Sequence, residues 1–381
     1  MQSQIDIISN IIHSYDLCDS CTGRLISKIL GKPSSKSLGK KYLEKFNKSS
    51  NKKCYICKNM FDNLDFMTNN IVQKSSNFTF KTFHLGIILK PSFLERDDFI
   101  KSKFKLQGIE NLKFNLAKEL AKKISRKTKS KKIHDNSDIF IKANFKDESC
   151  TIEAKPLFIY GRYNKNTRTL PQKQQLCLSC NGIGCHNCEF KGVAKTQSIE
   201  SKISNFLTKK FDCDQVKINW IGGEDEKSLV LGNGRPFFAK LLNPKRRYYI
   251  IRKTIDLEDV HLSELKKLYI QPKGSVSFKS EVQITVKTEK SILIKSLKKL
   301  KILENTIIKN SSRGKKNIKK RIYTIDFTKI SRSKFTLDLL IDGGIPIKSL
   351  IQNSTLEPNI SDLIKNRCKC VEIDFKNILI D

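Results

Sequence analysis

Eight of the 12 cysteines occur in four C-x-x-C pairs, and this spacing restricts the fold more than any other feature of the sequence. Two such pairs can supply the four thiolates of a tetrahedral zinc ion, each pair from one tight turn. The first two pairs are separated by a long insert, and the other two lie close together within CLSCNGIGCHNC. The two sets are Cys18, Cys21, Cys54 and Cys57, and Cys177, Cys180, Cys185 and Cys188.

The first set predicts a closed structural zinc site, which would contribute roughly 10 to 16 kcal/mol of apparent binding energy to folding. The alternative is four buried thiols without a ligand. The second set is a candidate second zinc site, in which Gly182 and Gly184 would let the backbone fold tightly around the ion. It also resembles the cysteine-rich region of DnaJ-type chaperones, but the repeated copies and the HPD motif of those proteins are missing.

Charge indicates the class of partner. Lys and Arg number 73 against 38 Asp and Glu, a net charge of +35, which favours binding to a polyanion. The alternative is a solvated lysine-rich surface without a partner. No stretch is apolar enough to span a bilayer, and the apolar segment 5–12 lacks the basic start and cleavage site of a signal peptide. Paired cysteines outside a secretory context indicate metal binding in a reducing cytoplasm.

The length of 381 residues predicts at least two domains. In residues 1–155 we expect a helix from Ile5, a strand over 78–89, a helix containing Leu112, Leu116, Leu120 and Ile124, and a strand from Ile139, hence a small α/β accessory domain. Residues 156–381, with the cysteine-rich insert 177–188, predict an α+β domain with a mixed or antiparallel sheet. It includes a helix over 198–211, a strand over 216–220 and a hairpin turning at Gly232-Asn233-Gly234.

Two segments of the second domain carry candidate functional residues. Glu224 and Asp225 precede LGNGRPF, although an acidic pair in a loop is usually only solvated. The segment PLFIYGRYNKNTRTLPQ interleaves basic and aromatic residues, a pattern that suits phosphate contacts and base stacking. Its candidates for such contacts are Tyr160, Arg162, Tyr163, Lys165, Arg168 and Gln172.

GRYNKNTRTLPQ and LGNGRPF resemble signatures of the archaeal and eukaryotic tRNA pseudouridine synthases of the Pus ten family, and the resemblance extends nearly end to end. It implies a zinc-bearing, THUMP-like RNA-binding accessory domain followed by a pseudouridine synthase domain. It implies tRNA as the partner and no organic cofactor. We expect a cytoplasmic monomer, because one tRNA can span both domains.

In the family's catalytic loop, Gly-Arg-Glu-Asp, the aspartate falls on Asp225 when LGNGRPF is aligned without gaps. The resemblance implies that Asp225 attacks the target uridine and detaches the uracil, which rotates and rejoins through carbon five. The uridine must first be flipped out of its tRNA loop. Arg235 or a neighbouring lysine is the expected cation partner. The substrate contacts inferred in this way are Arg162, Tyr163, Arg168, Arg235, Lys279 and Lys348.

Several positions depart from the family pattern. Gly223 replaces an arginine, Glu281 replaces the tyrosine of Lys-x-Tyr, and Pro346 replaces the tyrosine of Gly-x-Tyr-Ile-Lys. A family basic element survives as residues that include Arg313, Lys315 and Lys316.

The leading hypothesis is therefore a synthase that modifies uridine 55 of the TΨC loop, and also uridine 54. The runner-up is a catalytically silent tRNA-binding protein or tRNA folding chaperone. A methyltransferase or thiolation enzyme would need a glycine-rich cofactor loop or an SGGxDS-type loop, and the sequence has neither.

Overall fold

The computed structural model describes residues 2–48, 52–194, 197–270, 274, 276–310, 319–352 and 356–380. Arg313, Lys315 and Lys316 lie outside these ranges. The chain forms two compact units, Met1–Lys155 with Asn243–Tyr248, and Pro156–Leu242 with Tyr249–Asp381. Among the described residues, no helix is long and apolar enough to cross a membrane.

The first unit packs helices against a four-stranded sheet of order β2-β1-β3-β4. Strand β1 runs parallel to β2 and β3, and β3 runs antiparallel to β4. The elements are α1 (Gln2–Ser14), α2 (Asp19–Ser27), α3 (Lys36–Lys45), α4 (Leu64–Ser75), β1 (Thr82–Ile88), α5 (Pro91–Lys103), α6 (Leu112–Thr128), β2 (Lys131–Lys132), β3 (Ile139–Asn144) and β4 (Ser149–Ala154).

Local sequence explains helix α6. Asn111 caps it by accepting a hydrogen bond from the backbone N–H of Phe114, so the helix begins at Leu112. Its four periodic apolar residues are fully buried, as the spacing predicts.

A buried ion pair joins α2 to α5. Arg24 pairs with Asp97 and also donates to the carbonyl oxygen of Glu110 at 2.8 Å. Both side chains of the pair are at most 1% exposed, so each charge is compensated inside the first unit.

The second unit contains one large mixed sheet of order β14-β11-β12-β13-β10-β15-β7-β5-β9-β8, with β6 paired to β7. The parallel pair β7–β15 joins two antiparallel parts, which confirms the predicted mixed α+β fold. The elements are β5 (Leu157–Lys165), α7 (Ile199–Phe211), β6 (Gln215–Trp220), β7 (Leu229–Leu242), β8 (Ile255–Leu257), β9 (Val260–Leu268), β10 (Phe278–Thr288), α8 (Ile294–Lys298), β11 (Ile307–Asn310), β12 (Lys319–Lys329), β13 (Lys334–Asp342), α9 (Ile347–Gln352), β14 (Leu356–Glu357), α10 (Ile360–Ile364) and β15 (Cys368–Ile380).

The predicted hairpin at residues 232–234 is wrong, because β7 continues through them. Gly232 and Gly234 have φ of +50° and +72°, and the pairing with β5 shifts register between Tyr163 and Lys165. Asn164 donates to the carbonyl of Gly232 at 2.9 Å, and Asn377 accepts from the N–H of Asn233 at 3.1 Å. These contacts hold a bulge rather than a turn, so Arg235 lies within the sheet.

Candidate functional site

The first cysteine tetrad joins two distant turns of the first unit. Cys18 and Cys21 lie at the start of α2, whereas Cys54 and Cys57 lie in the turns before α4. The four Sγ atoms are within 4.8 Å of one another, and all 12 cysteines are free thiols. Zn–S bonds of about 2.3 Å in a tetrahedron place sulfurs about 3.8 Å apart. The tetrad therefore fits a metal ion, as the sequence predicts.

The second tetrad has a similar geometry within one short segment. Sγ–Sγ distances are 3.9 Å for Cys177–Cys185 and 3.8 Å for Cys180–Cys188. The backbone N–H groups of Gly184 and Gly192 donate to the sulfurs of Cys180 and Cys188 at 3.2 and 3.3 Å. Such donors stabilise thiolates, so this tetrad could also hold a metal.

A cavity of about 470 Å³ opens beside the loop between β6 and β7, within the second unit. This volume falls in the range of about 300–1,000 Å³ typical of small-ligand sites. The lining combines carboxylates with cations, two aromatic rings and apolar side chains. It includes Asp225, Arg235, Phe278, Ser280, Pro346 and Lys348.

Asp225 is held in the cavity by three donors. Lys348 Nζ lies 2.7 Å from Oδ2, whereas Ser228 Oγ and the backbone N–H of Lys227 donate to Oδ1 at 2.9 and 3.1 Å. Partial burial raises the pKa of Asp225, but the hydrogen bonds from Lys348 and Ser228 outweigh it, and the pKa lies below its usual value. The same hydrogen bond raises the pKa of Lys348. The carboxylate is thus ionised, fixed in direction and 34% exposed.

A fully buried ammonium lies beneath this carboxylate. Lys165 Nζ donates to the carbonyl oxygens of Leu170 and Asp225, both at 3.0 Å, and of Glu226 at 3.3 Å. It also lies 3.5 Å from Glu224 Oε1. Burial lowers the pKa of Lys165, against the attraction of Glu224. Lys165 therefore clamps the backbone of the Asp225 loop to β5.

Glu224 is buried between two cations, Lys165 and Arg235. Its side chain has no exposed surface, and Arg235 Nε lies 3.1 Å from Oε2. Burial raises the pKa of Glu224, although Arg235 and Lys165 oppose that shift. Arg235 also donates to the carbonyl of Ile221 at 3.0 Å and stacks over Phe375, 4.3 Å from the ring centroid. Of the two expected partners of Asp225, the lysine is the one in contact, since Arg235 pairs with Glu224.

The structure corrects the interpretation of the basic and aromatic segment. Arg162, Tyr163 and Lys165 are at most 8% exposed, because β5 lies between β7 and β9 in the centre of the sheet. Arg162 donates to the carbonyls of Gly234 and Ile378 at 3.0 and 2.9 Å. These residues therefore stabilise the fold and are not positioned to contact RNA.

Arg168 is also engaged within the protein. Its guanidinium lies 2.7 Å from Asp374 Oδ1 and donates to the carbonyl of Lys227 at 2.8 Å. The hydrogen bond to Lys227 holds the part of the Asp225 loop that precedes β7. Gly223, Pro346 and Lys348 line the cavity beside Asp225.

Lys279 and Glu281, the two positions aligned with the Lys-x-Tyr motif, do not line the cavity. Ser280 lines the cavity, and since side chains alternate along β10, Lys279 and Glu281 project from the opposite face. Lys279 lies over the ring of Tyr323, and Glu281 accepts from Asn377 at 2.6 Å. Phe375 of β15 lines the cavity, and the aromatic side chain that β10 supplies to it is Phe278. A Cβ at Gly343 would lie 2.3 Å from its ring, so that glycine makes room for it.

Known proteins are similar in sequence to this chain over nearly its whole length. The family profile described as "Pus10, C-terminal" matches residues 158–379, and the profile "Pus10 THUMP domain, archaeal" matches residues 67–144. The chain belongs to the Pus10 family. The predicted resemblance is thereby confirmed, together with the THUMP domain and the enzyme class of tRNA pseudouridine synthases.

Curated Pus10 relatives carry the name "tRNA pseudouridine synthase Pus10". One from Nitrosopumilus maritimus is 41% identical over 99% of this chain and 98% of its own. One from Cenarchaeum symbiosum is 30% identical over 96% of this chain and 90% of its own. Among solved structures, a Cbf5-Nop10-Gar1 complex has a TM-score of 0.29 and 13% identity over 47% of this chain and 45% of that chain, a distant likeness.

Metal analysis of single-cysteine variants tests the tetrads. We expect about two zinc ions per chain in the wild type and about one in either Cys54→Ser or Cys180→Ser. Cys54→Ser should also lower the thermal stability more, because Cys54 is fully buried. Cys150→Ser is the control, since Cys150 is buried but belongs to neither tetrad. Full zinc content in both tetrad variants would contradict metal binding.

Lys165→Met tests the clamp on the Asp225 loop. Without the ammonium, the three carbonyls lose their donor and the carboxylate shifts, and a misplacement of about 1 Å costs about 100-fold in rate. We expect pseudouridine formation to lose that factor in kcat, with KM nearly unchanged, in single-turnover assays. Lys227→Met is the matched control because Lys227 is an exposed lysine of the same loop. An unchanged kcat in Lys165→Met would refute the clamp.

Lys348→Met tests the ion pair through pH. The wild-type carboxylate contributes stability above the pKa of an unfolded aspartate, and this contribution is lost as pH falls through the lowered pKa of Asp225. Removing the ammonium raises that pKa, so the acidic limb of the kcat/KM profile should move to higher pH. Lys348→Arg retains the charge and should keep the limb near its wild-type position. A limb that is unmoved in Lys348→Met would exclude this role.

Proposed function

We propose that this chain converts uridine to pseudouridine in the TΨC loop of tRNA, at uridine 55 and also at uridine 54, with Asp225 as nucleophile. The observation that carries the proposal is the ionised Asp225 carboxylate, which faces a cavity with an aromatic side chain, Phe278. Pus10 relatives that match nearly the whole chain are named tRNA pseudouridine synthases, which supports the reaction class.

The arrangement suits an isomerisation that needs no external reactant. Asp225 attacks C1′ of the ribose as the bond from C1′ to N1 of uracil breaks. After the base rotates, C5 bonds to C1′ and the bond from C1′ to Asp225 breaks. A proton leaves C5 and N1 gains one, so substrate and product have the same composition. Lys348 keeps the nucleophile ionised, and Phe278 offers a face on which the flipped base can stack.

The RNA partner is supported by charge and domain content. The net charge of +35 complements phosphates, and the THUMP profile matches within the first unit. We propose that one protein monomer binds one tRNA in the cytoplasm. The thiols in metal-type tetrads are typical of a reducing compartment, and the metal we propose for both is structural zinc.

A second candidate, tRNA binding without catalysis, is favoured by Gly223 and Pro346. Both line the Asp225 cavity, at positions where the resemblance places an arginine and a tyrosine in the family. This candidate predicts tight tRNA binding with no product.

Asp225→Asn separates the two candidates. On unmodified tRNA transcript, mapped by chemical adduct and primer extension, the wild type should form pseudouridine and Asp225→Asn should form none, because the amide is a poor nucleophile. Glu226→Gln is the matched control, since it removes the neighbouring exposed carboxylate of the same loop. Filter binding should give similar affinities for all three proteins. Bound but unmodified tRNA with the wild type would favour the silent binder, and transcripts with cytidine at position 54 or 55 identify the target.

A further inference from the structure

A second cavity, of about 810 Å³, adjoins the cavity around Asp225 within the second unit. Asp225 and Lys348 line both, so the two cavities meet at this ion pair. The volume is within the range of small-ligand sites, about 300–1,000 Å³. We call it the amide cavity, because it is lined by the glutamines Gln172, Gln174 and Gln175.

The charges around the amide cavity balance. Among the lining residues that the structure describes, three are carboxylates and three are lysines: Glu224, Asp225, Glu226, Lys173, Lys227 and Lys348. A phosphate is attracted where cations are in excess, so this cavity favours it little. A neutral base with polar edges can instead form hydrogen bonds to the amides. The lining therefore suits a nucleobase better than a phosphate.

Gln172 presents a fixed hydrogen-bond acceptor. Its side chain is buried, with the residue 3% exposed, and Nε2 donates to the hydroxyl of Tyr163 at 2.9 Å and to the carbonyl of Gly222 at 3.4 Å. A backbone carbonyl only accepts, so the amide nitrogen must lie on that side and Oε1 on the other. The carbonyl of Gln172 also accepts from the N–H of Glu200 at 3.0 Å, which ties its backbone to α7.

Oε1 of Gln172 faces the space above Gly223. A Cβ placed at Gly223 would lie 3.8 Å from Oε1, and this glycine is exposed, so no side chain at position 223 covers the oxygen. Among the residues that the structure describes, none donates a hydrogen bond to Oε1. A largely buried acceptor is stabilised when a ligand supplies the missing donor.

The nucleotide next to the proposed target carries such a donor. In the TΨC loop a cytidine follows uridine 55, as the name of the loop states. Cytosine has an amino group on carbon four, where uracil, a base of the same size, has a carbonyl oxygen. An acceptor that the protein holds in place therefore bonds to cytosine and repels uracil.

We propose that the amide cavity holds the base that follows the target uridine, and that Gln172 Oε1 accepts a hydrogen bond from the amino group of a cytosine there. Gln172 is thus a specificity-determining residue, fixed by Tyr163 and Gly222, beside the nucleophile. The inference rests on the proposed function, because it names a second nucleotide of the same substrate.

The test compares two tRNA transcripts, with cytidine or uridine directly after uridine 55, in single-turnover assays of pseudouridine formation. The wild type should prefer the cytidine transcript about 10-fold, the size expected of one hydrogen bond. Gln172→Met retains the side-chain length without the amide, so its two rates should be nearly equal. Gln197→Met is the control, because Gln197 is an exposed glutamine outside the amide cavity, and it should keep the wild-type preference.

The ratio of the two rates is the decisive quantity. A purely structural role of Gln172 would slow both transcripts alike, and any effect of the base change on the tRNA itself is common to all three proteins. A wild type without preference would overturn the inference, as would an undiminished preference in Gln172→Met.

Filter binding of the same transcripts separates this inference from the proposed reaction. Pseudouridine formation with a ratio that ignores Gln172 would refute base reading alone. A cytidine preference in affinity that is lost in Gln172→Met, without product from the wild type, would refute the reaction alone. Neither product nor preference would refute both.

Discussion

The second unit depends on a charge that is expensive to bury. An ammonium taken out of water needs full compensation, and Lys165 receives it from three carbonyl oxygens and Glu224. Two of those carbonyls belong to the loop that carries Asp225, so the interaction that satisfies the lysine also fixes the loop. Glu224 lies between Lys165 and Arg235, which extends the same compensation to β7. The same buried charges therefore hold the Asp225 loop against both β5 and β7.

Features set by local sequence were predictable. The spacing of leucines in α6, the alternation in β3 and the cysteine pairs each depend on residues near one another in the chain. The family signature located Asp225 and Lys348, which the structure brings into contact.

Features set by distant pairing were not predictable. Two glycines around an asparagine indicate a hairpin from local sequence alone. The bulge that forms instead depends on Asn377, which is distant in the sequence. The burial of Arg162 and Tyr163 follows from the place of β5 between β7 and β9, which no local pattern encodes. The alignment of the Lys-x-Tyr motif does not indicate Phe278, because it places the motif on Lys279 to Glu281 of the same strand. Side-chain alternation along β10, anchored by Ser280, is the signal that could have corrected it.

The two cysteine tetrads differ in the length of chain that each one closes. Cys177 to Cys188 are contained in a single dozen-residue segment, whereas the first tetrad has the rest of α2 after Cys21 and all of α3 between its two pairs. Closing a longer loop costs more conformational entropy. An ion bound by the first tetrad would therefore restrict a much longer stretch of the unfolded chain than an ion bound by the second tetrad.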